Sequence, residues 1–410
     1  MKALWQDAAR ILCVRLDNLG DVLMTTPAIR ALKQAVVTGP KPGRTRHVTL
    51  LGSTAGCEIA RQVPEIDATL AFDAPWVAAG RERPLSTDIV ARLAAYRFDA
   101  AVIFTCYSQS ALPAAMLCGQ AGIPLRLAHC RENPYGLLTD WIRDPEPDGG
   151  IRHEVARQLA LVASVGATTA DERLSVRVVP AARQRAGELL AARGIAIDRP
   201  FVVLHPGATA ASRRWPAERF GRVAEALVRT AGLPVLVTGS TSEADLAAQV
   251  LGVGGLGATR GGSSSEAAVH DLTGALALDE LVAVIDAATL VVSNNSGPAH
   301  IAAARQTPIV DLYALTNPQH TPWQVAKRVL SHDVPCANCQ RSICPELHHA
   351  CLTGVSVDEV VDAALQLLDP SNVLEMTGTA PQRLDPPHDP IAYPHPTSAA
   401  PVRTAPNVAC

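Results

Sequence analysis

The sequence predicts an α/β protein of two halves, each a parallel sheet covered by helices on both faces. Three observations predict it. Short apolar runs alternate with helical stretches through the first 165 residues, and a continuously apolar run is a strand buried on both faces. The alternation lapses near residues 168–182 and restarts near residue 200. A chain of 410 residues has the length for two or three domains.

In chain order, Ile11–Leu16 is the first strand; it leads through Asp17-Asn18-Leu19-Gly20-Asp21 into a helix reaching Lys33. Val48–Leu51 is a strand stopped by Gly52, and Ala100–Phe104 is another, followed by a helix from Ala111 to Cys118. Leu125–Ala128 adds a strand, and a helix from Ile151 to about Val165 closes the half. The second half opens on the strand Phe201–Leu204, then a loop, then Pro216 at a helix start. Phe220, Val223, Ala224 and Leu227 recur at i, i+3, i+4 and i+7, a stripe made to pack on a sheet. Pro234–Thr238 is a strand ending at Gly239, and Leu278, Leu281, Val282 and Ile285 repeat the helical stripe. Leu290–Ser293 and Pro308–Leu312 are the next strands. Gly254–Ser265 is a flexible loop by composition, and residues 370–410, with nine of the 31 prolines, read as a disordered tail without catalytic role. The division is 1–172, 173–335, a Cys-rich segment with a C-terminal helix over 336–369, and the tail. Two such halves facing each other make a cleft, and ligands bind at strand ends there.

Composition removes several functions. Thirty-six Lys and Arg against 39 Asp and Glu leave a net charge of −3, with no basic field for a nucleic-acid backbone. Aromatic residues number 15, too few for a base-stacking surface. No uncharged apolar run is long enough to span a bilayer, and Asp7 and Arg10 interrupt what a signal peptide would need, so a cytoplasmic protein is expected. Neither a Walker motif nor a G-x-G-x-x-G opening a helix occurs, nor H-E-x-x-H or G-x-S-x-G.

Three turns can carry chemistry. Asp21 follows the first strand at a helix start, where it is either a capping carboxylate or a general base kept ionised by the helix. His205-Pro206-Gly207-Ala208-Thr209, followed by Arg213 and Arg214, lets a backbone approach a ligand and supplies guanidinium forks for a diphosphate. Solvated surface arginines are the ordinary alternative. Ser293-Asn294-Asn295-Ser296-Gly297-Pro298-Ala299-His300 joins a strand to a helix whose first N–H groups suit an anion. A plain turn, and structural roles for His205 and His300, are the ordinary alternatives there.

Together these pieces resemble one family. VRLDNLGDVLMTTPAIRALK, LHPGATAASRRWPAERF and LVVSNNSGPAHIAAARQTPIVDLYALTNP look like the three signature blocks of glycosyltransferase family 9, the ADP-heptose:lipopolysaccharide heptosyltransferases and their relatives. The resemblance covers residues 10 to 368 and implies a GT-B fold, two Rossmann-like domains across a cleft, with no catalytic metal or other cofactor. It implies inverting transfer from an ADP-sugar, ADP-heptose above all, to a lipid-linked saccharide of the lipopolysaccharide core. Peripheral contact at the inner face of the plasma membrane would follow. By position, Asp21 matches the catalytic base, with Gly20 beside it. Thr209 falls in the phosphate turn, Arg213 at a cation often Lys, and Glu243 at an acid contacting the nucleoside. Asn295, Ser296, Gly297 and His300 belong to the donor loop. The family usually reads N-D-S-G where this chain has Asn294-Asn295-Ser296-Gly297, so Asn295 offers hydrogen bonds and no charge. A GT-B-like nucleotide-sugar epimerase and a non-catalytic sugar-nucleotide-binding relative are the rival readings.

Nine of the ten cysteines divide into two sets, and Cys410 is the last residue. Cys13, Cys57, Cys106, Cys118 and Cys130 sit in apolar stretches and read as core residues. Cys336, Cys339, Cys344 and Cys351 crowd into 16 residues with His348 and His349; the four thiolates are candidates for a structural Zn²⁺, against reduced or disulfide-paired cysteines.

Overall fold

The computed structural model describes residues 2–37, 45–77, 88–253 and 268–369. The loop 254–265 and the tail 370–410 lie outside the described residues. The first half runs α1 (Lys2–Asp7), β1 (Arg10–Arg15), α2 (Leu19–Gln34), β2 (His47–Gly52), α3 (Thr54–Ala60) and β3 (Ala68–Ala71). It continues through α4 (Asp88–Tyr96), β4 (Ala100–Ile103), α5 (Leu112–Gln120), β5 (Leu125–Cys130), β6 (Asp140–Arg143) and α6 (Glu154–Ala163). The second half has α7 (Pro180–Ala191), β7 (Val202–His205), α8 (Ala217–Ala231), β8 (Val235–Val237), α9 (Ala244–Leu251) and β9 (Val269–Asp271). There follow α10 (Leu278–Ala287), β10 (Leu290–Asn294), α11 (Gly297–Arg305), β11 (Ile309–Leu312), β12 (Lys327–Leu330), α12 (Ala350–Thr353) and α13 (Val357–Leu368).

Both sheets have six strands, all pairings parallel, in the orders β3-β2-β1-β4-β5-β6 and β12-β11-β10-β7-β8-β9. Counted within each half, both orders are 3-2-1-4-5-6, the doubly wound arrangement whose ligand crevice opens where the winding reverses. That point lies at the C-terminal ends of β1 and β4 in one half, and of β7 and β10 in the other. Apart from exposed Arg10 at the start of β1, the central strands are buried, as their apolar runs require. Edge strands β3 and β6 are partly exposed and of mixed composition, so no continuous apolar run announced them.

The stripe Phe220, Val223, Ala224 and Leu227 of α8 is buried on the second sheet. Helix α13 joins that core with Val360, Ala363, Ala364 and Leu367, so the C-terminal segment is part of the second half. One apolar core runs from the α2 face of the first sheet through α10 and α11 to the second sheet. Cys13, Cys57, Cys106, Cys118 and Cys130 are all buried.

Candidate active site

The site begins with a cation that cannot be left alone. Arg15, last residue of β1, is fully buried, and an unpaired guanidinium there would cost several kcal/mol. Three carboxylates surround it: Asp17 on Nε at 2.9 Å, Asp21 on one terminal nitrogen at 3.1 Å, and Glu154 of α6 on the other at 2.6 Å. Gln109 donates to Asp17 at 2.6 Å and Gln158 to Glu154 at 2.7 Å, which orients both acids. Asn18 takes the N-cap position of α2, and its N–H donates to the second Asp21 oxygen at 3.1 Å. Asp21 therefore stands three residues into the helix, not on the cap, because the turn after β1 closes at Asn18, three residues before it. Burial pushes its carboxyl up to about 7; Arg15 opposes, Asp17 and Glu154 add to the rise, and Arg213 opposes weakly. A carboxyl poised there can exchange a proton near neutral pH.

Asp21 faces a cavity of about 210 Å³ between the halves, with Gly20 beside it. Thr209 and Arg213 come from the loop after β7, and Asn295, Ser296, Gly297 and His300 from the turn into α11. Asn294 stitches these loops together: its side chain accepts from Trp215 N–H at 2.9 Å and donates to Pro206 O at 2.7 Å. The two arginines take different roles. Arg214 donates to Ala208 O at 2.7 Å and shapes its own loop, whereas Arg213 lines the cavity. A Cβ on Gly20 would lie 2.6 Å from His300 Cδ2, and one on Gly297 would lie 2.7 Å from Leu19 Cδ1. Both glycines let α2 and α11 approach across the cleft, a packing duty besides any contact with ligand.

His300 and His320 each leave one buried ring nitrogen without a partner, Nδ1 and Nε2 respectively, and both line this cavity. Burial holds His300 down near 3, and burial followed by Arg213 lowers His320, so both rings are neutral hydrogen-bonding groups. Orphaned polar atoms at a cavity wall fit a polar ligand. Asn295 gives its Nδ2 to Asp311 Oδ2 at 3.1 Å and to His320 O at 2.8 Å, which leaves its carbonyl oxygen as the atom free for the cavity. Asp311, fully buried on β11, is raised to about 7 by burial, against Asn295 and Lys327.

Glu243, expected at the site, and His205, for which a structural role is the ordinary alternative, lie off this cavity. Glu243 accepts from the backbone and hydroxyl of Ser240 at 2.8 and 2.9 Å, capping its own turn, and packs where a Cβ on Gly207 would sit 1.9 Å from its Oε1. His205 is buried against Thr238 at 3.1 Å, also off the cavity. Arg15, Glu154, His320 and Ser342 were not anticipated. The three outside the first strand lie far along the chain from the motif they support.

Cys336, Cys339, Cys344 and Cys351 are free thiols around one small cavity with His348 and His349. Burial and the other three thiols raise Cys351. Among the described residues, no three His, Cys, Asp or Glu side chains are grouped so as to hold a metal ion. The four cysteines share a cavity without forming a ligand set, and the expected zinc finds no site in this geometry. The segment is held instead by backbone bonds, Asn338 N–H to Leu315 O at 2.7 Å and Gln340 N–H to Thr316 O at 2.8 Å.

Known proteins agree with this architecture. Residues 87–350 match the family model glycosyltransferase family 9 (heptosyltransferase). Lipopolysaccharide heptosyltransferase 2 of Salmonella typhimurium is 25% identical over 324 residues, covering 76% of this chain and 85% of that protein. Lipopolysaccharide heptosyltransferase 3 of Escherichia coli is 26% identical over 305 residues, covering 74% and 83%. The solved structure of a glycosyl transferase family 9 protein from Veillonella parvula superposes with a TM-score of 0.70 at 22% identity, covering 90% of this chain and 99% of that one. The Escherichia coli ADP-heptose lps heptosyltransferase II gives 0.65 at 22% identity, covering 88% and 98%. The two facing sheets are thus a GT-B fold, and with more than half its length under the family model the chain belongs to glycosyltransferase family 9 and is a glycosyltransferase.

Proposed function

We propose that this glycosyltransferase moves a heptose from ADP-heptose to a hydroxyl of a lipopolysaccharide-core saccharide, with inversion and with Asp21 as general base. The observation that carries the proposal is the juxtaposition of Asp21, Arg213 and the first turn of α11 around one interdomain cavity. The acceptor oxygen attacks the anomeric carbon as its proton passes to the Asp21 carboxylate, and the bond from that carbon to the diphosphate breaks. Negative charge growing on ADP meets the Arg213 guanidinium and the N–H groups that begin α11. His300, His320 and the Asn295 carbonyl supply neutral hydrogen bonds to the donor, and Thr209 faces the same space. Glu243 enters this scheme through the His205–Gly207 turn, which it buttresses. No metal takes part in any step.

The acceptor is lipid-linked, so the protein works in the cytoplasm against the inner face of the plasma membrane. No helix among the described residues is long and apolar enough to cross a membrane. The test is ADP release and product mass with purified protein, ADP-heptose and deacylated lipopolysaccharide core. ADP and a heptosylated product together support the proposal; isomerised donor without acceptor points to an epimerase, and unchanged donor to a binding protein.

A further inference from the structure

A second cavity, of about 590 Å³, is lined by other residues than the proposed donor cavity and opens at the ends of β1 and β4. Its walls include Trp76, Gln109 and Arg131 from the first half, but also Asn338, Gln340 and Arg341 from the Cys-rich segment. That segment crosses the cleft. Gln340 donates its side-chain amide to the Tyr107 hydroxyl of the first half, while its own backbone is held by Thr316 of the second. Asn338 and Gln340 take φ of 62° and 52°, a left-handed kink on either side of Cys339 that turns the segment sharply. The segment is also tied to the donor loop. Buried Ser212, next to Arg213, donates its N–H to Ser342 O at 3.1 Å and its hydroxyl to Arg341 O at 2.7 Å, and Ser342 lines the donor cavity.

Resting on the transfer reaction above, we propose that residues 338–342 are the acceptor-reading element of this enzyme and that Arg341, with Arg131, holds an anionic group of the acceptor. The chemistry is specific. Trp76, in edge contact with Phe72 at 5.7 Å, gives a partly exposed aromatic face for a sugar ring. The acid in the cavity wall, Asp17, is already paired with Arg15, so the two exposed guanidinium groups leave the cavity cationic. Guanidinium forks match phosphate and carboxylate alike. An uncharged hydroxyl side chain also waits there: Thr105 Oγ1 is buried without a partner on the same wall. The ligand class is a saccharide bearing a phosphate ester or a sugar-acid carboxylate.

The experiment uses the full chain, ADP-heptose, and deacylated lipopolysaccharide core in native, dephosphorylated and carboxyl-reduced forms. Arg341→Ala is expected to raise the acceptor KM about tenfold or more, the loss of one charge-assisted contact, with kcat and ADP affinity within about twofold. Arg341→Lys is expected to recover part of it. In the wild type, whichever modified oligosaccharide loses affinity identifies phosphate or carboxylate as the anion. Unchanged acceptor KM in both Arg341→Ala and Arg131→Ala, or equal affinity for all three oligosaccharides, overturns the inference while the transfer reaction stands. Absence of both ADP binding and transfer in the wild type overturns the transfer reaction, and this inference with it.

Discussion

Replacing Asp21 by Asn separates catalysis from stability more sharply than any other change at this site. One guanidinium, Arg15, faces three carboxylates within 3.1 Å, and the variant removes one of those negative charges while Asp17 and Glu154 stay in place. Arg15 is therefore not orphaned, and the amide oxygen of Asn can still accept its hydrogen bond. A carboxyl raised from 3.8 to about 7 holds its proton more tightly in the folded chain than in the unfolded one. The stability this group lends is complete below about pH 4 and is lost as pH rises to 7, with a plateau above. At about 1.4 kcal/mol per pH unit, the ionised side chain costs the fold about 4 kcal/mol at most by pH 8. The Asn variant is thus expected to match the wild type in urea unfolding near pH 4 and to exceed it at pH 8 by about 1–4 kcal/mol. Its transfer rate is expected to fall about 10²–10⁴-fold, with loss of the rising limb near pH 7 and no change in ADP affinity. Wild-type turnover by the Asn variant would refute the general base, and identical unfolding curves at every pH would refute the frustrated charge cluster behind it.

Four other outcomes are expected. Arg213→Ala should weaken ADP binding by about 1.5–3 kcal/mol in calorimetry, with Lys intermediate, because Arg213 is the guanidinium facing the donor cavity. Gly20→Ala should lower the melting temperature and ADP affinity together, by about 1–3 kcal/mol of stability, since its methyl would press on the His300 ring at 2.6 Å. Asn295→Asp, which restores the family's usual residue, should destabilise by about 3 kcal/mol at pH 8 and much less at pH 5, as a second carboxylate would face Asp311 at about 3 Å; adding Asp311→Asn should reverse it. Protein purified without chelator should hold no stoichiometric zinc, and under denaturation Cys336, Cys339, Cys344 and Cys351 should all react with a thiol reagent.

The fold was legible because its central strands carry their own signal. Buried on both faces, the middle residues of β1, β4, β7 and β10 are apolar, and β1, β7 and β10 lead into turns that sequence also marks. The same reasoning pointed to the strand ends where the winding reverses, and there Asp21, Arg213 and the turn into α11 line one cavity. It failed where a role depends on distant partners. Nothing at position 15 tells that its cation will gather Asp17, Asp21 and Glu154, and nothing at 341 tells that a Cys-rich stretch will cross to the first half. Glu243 is the converse case, a position shared with the family whose side chain here closes its own turn.

Asn295 shows how far such a positional reading must be carried before it yields chemistry. By sequence the chain has lost a carboxylate at the donor loop. In the structure the negative group stands one strand away: Asp311 lies on β11 beside β10 in register, and Asn295 reaches it with its amide nitrogen. Asp311 lies behind the amide, which shows the cavity a neutral carbonyl oxygen whose direction Asp311 and the His320 carbonyl fix. In the proposed donor site, a sugar hydroxyl would find an acceptor in this oxygen, and no charge at position 295 would face the diphosphate. Lys327 of the neighbouring strand β12 is lowered by its burial and drawn upward by Asp311. Asn295 and Asp311 therefore act as one unit, so substituting either alone should disturb both donor binding and fold, and substituting both should disturb neither as much.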